Sequence, residues 1–184
     1  MFDTVPTEKS LMARMDKERP FVHYPDPLRL KDFEAQSPGT LFAMCLFGEA
    51  RDQGFLGAVL VGMVIRNRMH DPHRRGWLTG KTGRSKKWPT VADVVLHSYA
   101  YSCFNGDNKA SRQAMMRAAI DEPEAWEMCR RAAFDVLEER IRVDFTDGAT
   151  HYFNPKLANP KWASSPKMVK TIRYRDHDFY REEP

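Results

Sequence analysis

Apolar residues recur at helical spacing through the middle of the chain and then give way to shorter, strand-like stretches. Apolar positions three and four residues apart lie on one face of a helix, whereas alternate positions lie on one face of a strand. The helical pattern predicts five helices, at residues 40–49, 55–69, 90–96, 110–120 and 123–141. Thr90 is suited to cap the third. In the fifth helix we expect an inward face made of Trp126, Cys129, Ala133 and Val136.

The pattern after residue 141 is typical of strands. Residues 143–146 and 149–153 flank Asp147-Gly148, a dipeptide that suits a two-residue hairpin turn. Residues 171–180 form a second strand-rich stretch around a polar bend at 176–178. The predicted fold class is therefore α+β, mainly α: a helical domain with a small β-hairpin element.

The beginning of the chain shows no sustained period. Prolines interrupt it at positions 6, 20, 25, 27 and 38, and proline is disfavoured inside helices and central strands. We therefore divide the chain into an extended N-terminal arm, residues 1–38, and a compact domain, residues 39–184. We expect the arm to be dispensable for chemistry, and it is a candidate for docking onto a partner in an assembly such as a virion.

Size and charge narrow the class of protein. With 184 residues, 42% of them hydrophobic, the chain suits one ordinary globular domain. It carries 29 Lys and Arg against 25 Asp and Glu, and this excess favours polyanionic partners such as bacterial walls or nucleic acids. Residues 70–88 predict an exposed basic loop, but its aromatic residues are limited to Trp77 and Trp88 and no nucleic-acid-binding motif fits. A nucleic-acid partner is therefore not expected.

Metal and disulfide chemistry find little support. The three cysteines, Cys45, Cys103 and Cys129, have no CxxC spacing, so neither a disulfide framework nor a zinc knuckle is indicated. His70 and His73 are separated by a proline that opposes helical placement. We expect no metal site.

No segment has the pattern of a membrane span or an export signal. The most apolar stretch, residues 55–65, is far shorter than the roughly 20 residues that span a bilayer. Residues 1–17 lack the apolar core of a secretory signal peptide. We expect a protein made in the cytoplasm that is not exported by itself.

Glu49 is the strongest single candidate for chemistry. It directly follows a predicted apolar helix and stands beside Gly48, which lets a bulky ligand approach the backbone. Glycoside cleavage needs a carboxyl group that can donate a proton to the departing oxygen. The alternative is a solvated glutamate that pairs with Arg51 at a helix end, and the tetrapeptide GEAR alone favours this alternative.

Five sequence blocks change that balance, because together and in this order they resemble the spore-cortex-lytic cell wall hydrolase family. They are LFGEARDQGFLGAVLVGMVIRNRM, WPTVADVV, YSCFN, DGATHYFNP and DHDFYR, and the likeness runs from Leu41 to Tyr180. The resemblance implies a compact, mainly helical, lysozyme-like domain with a small β element, and it places the catalytic glutamate at Glu49. One departure is that this chain reads Asp52-Gln53-Gly54 where the family commonly has a second glutamate.

The resemblance also implies residues that bind substrate. In YSCFN, Ser102 and Asn105 could bond to sugar, while Phe104 either stacks on it or packs in the core. In DGATHYFNP, the candidates are His151, Tyr152 and Asn154, with ordinary hairpin packing as the alternative. Strand alternation sends His151 to one face and the other two to the opposite face, and we favour Tyr152 and Asn154 for the cleft.

The expected substrate is the glycan strand of peptidoglycan, cleaved at the β-1,4 bond between N-acetylmuramic acid and N-acetylglucosamine without a cofactor. A conventional retaining glycosidase places a second carboxylate roughly 5 Å from the first. The candidates for it are unconvincing: Asp52, Asp93, Asp107 and Asp147. A lytic transglycosylase, in which the 6-hydroxyl of muramic acid attacks, needs only Glu49.

Two alternatives stay open: a hydrolytic muramidase with a second carboxylate, and a virion structural module that keeps the fold. The missing signal pattern suggests a bacteriophage member. Such a protein would reach the wall after release through the membrane at lysis, or inside a phage particle.

Overall fold

The computed structural model describes residue 7 and residues 9–10, 22–27, 33–71, 89–97 and 100–183. Most of the predicted basic loop, with His73, lies outside these ranges. All five predicted helices are present: α1 Pro38–Ala50, α2 Gly54–His70, α3 Val91–Val95, α4 Lys109–Asp121 and α5 Pro123–Leu137. Within the described ranges three 3-10 helices accompany them: η1 Phe33–Ala35, η2 Ser102–Phe104 and η3 Lys161–Ser164. The strands are β1 His151–Phe153, β2 Met168–Tyr174 and β3 His177–Glu182.

Helices α1 and α2 form the centre of the core. Ser37 caps α1 by accepting a hydrogen bond from the Thr40 backbone N–H at 3.1 Å, and burial is continuous from Gly39 to Phe47. A helix that is apolar on all sides needs neighbours on all sides. Gly62 of α2 lets Phe42 approach, because a Cβ at position 62 would lie 3.2 Å from its ring. Gly62 therefore lets α1 and α2 pack closely at the centre of the core.

Helix α5 completes the helical layer. Its predicted inward residues, Trp126, Cys129, Ala133 and Val136, are all buried, which confirms the assignment of its core face. The helix ends at Leu137 rather than at residue 141. It stops because Glu139 takes a left-handed conformation with φ 50°, which a right-handed helix cannot continue.

The predicted hairpin at residues 143–153 is wrong. Residues 143–146 form no strand, and β1 pairs instead with β3 in an antiparallel sheet of order β1-β3-β2. Asp147 and Gly148 have the positive φ angles of a tight turn, 52° and 74°. The turn is closed by the Asp144 carboxylate, which accepts from the backbone N–H groups of Thr146 and Gly148, both at 2.8 Å. The Asp144 side chain thus closes this turn, without hydrogen bonds from a partner strand.

The real hairpin joins β2 to β3, and its turn lies earlier than the predicted bend at 176–178. Arg175 adopts φ 47°, and His177 and Asp178 already belong to β3. Asp178 is buried and pairs with Lys170 of β2 at 2.7 Å. Because the turn lies earlier than predicted, His177 is a residue of β3, and its position in the strand fixes the face of the sheet on which its side chain lies.

Described parts of the predicted arm pack against the helices. The Trp126 indole N–H donates to Asp26 at 2.9 Å, the Thr40 hydroxyl donates to the Pro25 carbonyl at 3.0 Å, and the Phe33 side chain is 8% exposed. The division at residues 38 and 39 stays a prediction. Among the described residues no helix is long and apolar enough to cross a membrane.

Candidate functional site

Glu49 lies in the last turn of α1, and three donors hold its carboxylate. Oε1 accepts from the Ser102 hydroxyl at 3.2 Å and from the Cys103 backbone N–H at 3.1 Å. Oε2 accepts from the Tyr152 hydroxyl at 2.9 Å. Helix α1, η2 and β1 therefore meet at one half-buried carboxylate. A solvated glutamate paired with Arg51 does not describe this residue.

Gly48 permits this arrangement. A Cβ at position 48 would lie 2.5 Å from the Cβ of Cys103, a distance that no side chain tolerates. The absence of a side chain lets η2 come close enough for its backbone N–H to reach Glu49. Gly48 of the GEAR motif thus allows η2 to pack against α1 beside the Glu49 carboxylate.

Tyr152 supplies a donor that stays protonated. Its ring packs on His177 and Phe179, with centroid distances of 5.1 and 5.7 Å. Burial of the phenol and the negative charge of Glu49 raise the pKa of Tyr152 well above its usual range. The hydroxyl therefore remains a hydrogen-bond donor to Glu49 at any physiological pH.

The carboxylate opens into a cleft of about 650 Å³ between the helices and the sheet. One part of its lining is polar and includes Glu49, Arg51, Asp52, Gln53, Ser102 and His177. Another part is largely apolar and comprises Leu157, Ala158, Pro160 and Trp162. A cleft with both kinds of surface suits a ligand that is itself polar at its edges and apolar on its faces.

His177 belongs to the site but was not among the predicted site residues. Burial lowers its pKa, although the charges of Glu49, Asp52 and Asp176 oppose this effect. The ring is therefore neutral at neutral pH, with one nitrogen as donor and the other as acceptor. Tyr152 pairs with Phe179, so His177 is its diagonal cross-strand neighbour. If the turn had been predicted at Arg175, strand alternation would have placed His177 on the same face as Phe179, next to Tyr152.

Of the other predicted substrate residues, three line the cleft and two do not. Ser102, His151 and Asn154 line the cleft, and the Asn154 side chain also accepts from the Lys156 backbone N–H at 2.9 Å. Phe104 packs edge-on against Phe33, with ring centroids 5.1 Å apart. Neither Phe104 nor Asn105 is among the described residues that line the cleft.

The side chains of β1 alternate in their contacts, but His151, which was expected on the face away from the cleft, also lines it, so that part of the prediction is wrong. Tyr152 points to Glu49, whereas the rings of His151 and Phe153 contact Trp162 at centroid distances of 4.8 and 5.5 Å. Trp162 is a second cleft residue that was not predicted, because its segment has no periodic pattern. Its position is known only once the loop after β1 is folded.

Among the four candidates for a second carboxylate, only Asp52 lines the cleft. Asp93 caps α3, where it accepts from the Thr90 backbone N–H at 2.8 Å. Asp147 pairs with Arg181 on the surface. Asp107 is exposed and outside the lining. Among the residues that the structure describes, a mechanism with two carboxylates in this cleft therefore has to use Asp52.

The thiols near Glu49 are not suited to nucleophilic chemistry. The hydrogen bond with Cys45, burial and the nearby charge of Glu49 raise the pKa of Cys103 well above its usual range. A protonated buried thiol is a poor nucleophile and a poor metal ligand. Within the described residues, no group of three or more His, Cys, Asp or Glu side chains could hold a metal ion.

The sequence profile of the Cell Wall Hydrolase family matches residues 52–180, more than half of the chain. The chain belongs to the cell wall hydrolase family. The match covers Tyr152 and His177 and begins just after Glu49. The role of Glu49 therefore depends on its motif and on the geometry described above.

Relatives of this cell wall hydrolase include two spore cortex-lytic enzymes. The enzyme of Halalkalibacterium halodurans is 31% identical over 133 residues, which are 72% of this chain and 32% of the relative. The enzyme of Bacillus cereus is 24% identical over 138 residues, which are 75% of this chain and 42% of the relative. The chain thus spans less than half the length of these relatives.

Two solved structures share the fold. The catalytic domain of the Bacillus cereus SleB protein is 23% identical, with a TM-score of 0.53 over 78% of this chain and 89% of that one. The catalytic domain of the germination-specific lytic transglycosylase SleB from Bacillus anthracis is 22% identical, with a TM-score of 0.53 over 84% of this chain and 99% of that one. These neighbours confirm the mainly helical, lysozyme-like fold with a small β element.

Proposed function

We propose that this chain degrades peptidoglycan as a lytic transglycosylase, with Glu49 as both the acid and the base. The observation that carries the proposal is the carboxylate of Glu49, which three donors from separate elements hold at the opening of a cleft. Membership of the cell wall hydrolase family supports the substrate. A structural neighbour named as a lytic transglycosylase supports the reaction type.

In the first step Glu49 gives its proton to the glycosidic oxygen as the bond to the anomeric carbon breaks. In the second step the Glu49 carboxylate takes the proton of the muramic acid 6-hydroxyl, whose oxygen bonds to the same carbon. Ser102 and Tyr152 keep the carboxylate in place during both transfers. The product ends in 1,6-anhydromuramic acid and no water is consumed.

The sugar contacts of the proposal come from the polar lining of the cleft. Ser102, His151 and Asn154 line the cleft, and in this proposal they bond to hydroxyl and N-acetyl groups of the sugar. Tyr152 acts on Glu49, and we assign Phe104 the packing role rather than the stacking role because it contacts Phe33. A virion partner for the arm and a bacteriophage origin stay predictions from the sequence.

Hydrolysis is the second candidate, because Asp52 lies in the same cleft as Glu49 and a carboxylate there is able to activate water. Two amide substitutions distinguish the candidates. Glu49→Gln removes the transferable proton and should lower the rate of wall clearing by about a hundredfold or more. Asp52→Asn is the matched control and should keep most of the activity.

Both variants are to be compared at equal concentrations of folded protein, verified by circular dichroism. Undiminished clearing by folded Glu49→Gln would refute the assignment of the acid. A loss with Asp52→Asn as large as that with Glu49→Gln would favour the hydrolytic muramidase.

A further inference from the structure

The largely apolar wall of the cleft is separate from the residues that surround Glu49. It is formed by the chain after β1, where Leu157, Ala158, Pro160 and Trp162 line the cleft. Leu157 is 84% exposed, so part of this wall is open to a ligand in the cleft. None of these residues takes part in the proton transfers proposed above.

Trp162 is held in a fixed orientation by a cluster of rings. Its ring contacts His151 at 4.8 Å, and it meets Phe153 and Tyr180 edge-on, both at 5.5 Å between centroids. Phe153 and Tyr180 stack on each other at 5.7 Å. Trp162 is nevertheless only partly buried and lines the cleft. A rigid aromatic side chain that stays partly exposed is preorganised to bind a ligand.

Strand β1 connects this ring to Glu49. Tyr152 points to Glu49, and the next residue, Phe153, contacts Trp162 from the other face of the same strand. In the described sheet β1 is an edge strand, since it pairs only with β3. A ligand that runs along this free edge would therefore reach Glu49 at one place and Trp162 at another.

We propose that Trp162 binds an N-acetylhexosamine ring of the glycan strand at a position away from the bond that is cut. This inference rests on the proposed function, since it assigns the substrate's neighbouring sugar to the same cleft. A β-1,4-linked pyranose carries its polar groups at the ring edge and C–H bonds on its faces. Its face can stack on Trp162 while its edge meets the polar lining.

Binding of a non-cleaved probe separates this proposal from the reaction. The probe is a tetramer of β-1,4-linked N-acetylglucosamine, titrated into Glu49→Gln by calorimetry. Trp162→Leu in that background should weaken binding by about tenfold or more, whereas Trp162→Phe should retain affinity within about threefold. The dimer of the same sugar should bind with little dependence on Trp162, because it need not reach beyond the residues around Glu49.

Tyr180→Leu is the matched control, because Tyr180 belongs to the same ring cluster but is not among the described residues that line the cleft. If Trp162 serves only to pack the sheet, both leucine variants should lower the melting temperature and should bind the tetramer with the same affinity as each other. That result overturns the proposal. Absence of tetramer binding in the parent also overturns it. A loss of tetramer affinity with Trp162→Leu but not with Tyr180→Leu supports the proposal, even if the reaction products show that the enzyme is not a transglycosylase.

Discussion

At the scale of single residues, the chemistry depends on how Glu49 is held rather than on its presence alone. Its oxygens accept from a hydroxyl of η2, a backbone N–H of η2 and a phenol of β1. Hydrogen bonds to a charged group are worth about 1.5–3 kcal/mol each. The two proton transfers need the carboxylate in one orientation, so these donors act as positioning groups.

Tyr152→Phe tests that positioning. Loss of the hydroxyl should lower kcat by roughly 10- to 100-fold, from a hydrogen bond to a charged group worth about 1.5–3 kcal/mol, and change KM little. The ring contacts with His177 and Phe179 remain, so the fold should persist. Tyr180→Phe, which removes a hydroxyl from a ring stacked on Phe153, is the control and should leave kcat unchanged. Equal kcat values for the two variants would show that Tyr152 does not position Glu49.

Sequence alone could single out Glu49 and Tyr152 because each lies in one of five blocks that together resemble a known family, although GEAR by itself favours a solvated glutamate. It could not locate His177 or Trp162 for two different reasons. His177 depends on where the β2–β3 turn begins, and Arg175 takes a left-handed conformation that its residue type does not announce. Trp162 depends on a folded loop after β1, which has no periodic pattern.

At the scale of elements, local patterns predicted the helices better than the strands. The unbroken apolar run of α1 predicted the helix, and the predicted bounds, 40–49, differ from the observed Pro38–Ala50 by one or two residues. The Asp147-Gly148 turn was also identified, as their positive φ angles show. What failed was the assumption that a tight turn joins two paired strands, since Asp144 closes this turn with its own side chain.

Asp144→Asn tests the account of that turn. The carboxylate accepts from two backbone N–H groups, from the Thr146 hydroxyl at 2.6 Å and from the Asn67 amide at 2.9 Å. An amide cannot accept all of these, so the free energy of unfolding should fall by about 1–3 kcal/mol. Asp147→Asn, in the same loop but exposed and paired with Arg181, should change it by less than about 1 kcal/mol. Denaturant unfolding measures both, and equal changes would contradict the account.

At the scale of the whole molecule, the cleft exists because three parts of the chain meet: the end of α1, the short η2 and the free edge of the sheet. The helices could be assigned locally, but this meeting could not. The same holds for the contact of Asp26 with the indole of Trp126. It joins a proline-rich segment to the core, and no local period reveals it.

Net charge gives a prediction at this scale. The chain carries a formal charge of +4, so binding to anionic cell walls should weaken from about 0.1 M to about 1 M salt, as the screening length falls from about 10 Å to about 3 Å. Sedimentation of Glu49→Gln with purified walls measures binding without cleavage. Binding to uncharged chitin is the control and should change less. Wall binding that is independent of salt would contradict a contribution from net charge.

The central claim is that Glu49 transfers both protons and that the substrate's own hydroxyl attacks. Mass spectrometry of muropeptides released from purified peptidoglycan tests it most directly, with a hydrolytic muramidase digest as the reference. The account predicts chains that end in 1,6-anhydromuramic acid, lighter by one water than the reference ends and unchanged by borohydride. Muramic acid ends that are all reducible by borohydride would contradict it, and Asp52 would then be the first residue to examine as the activator of water.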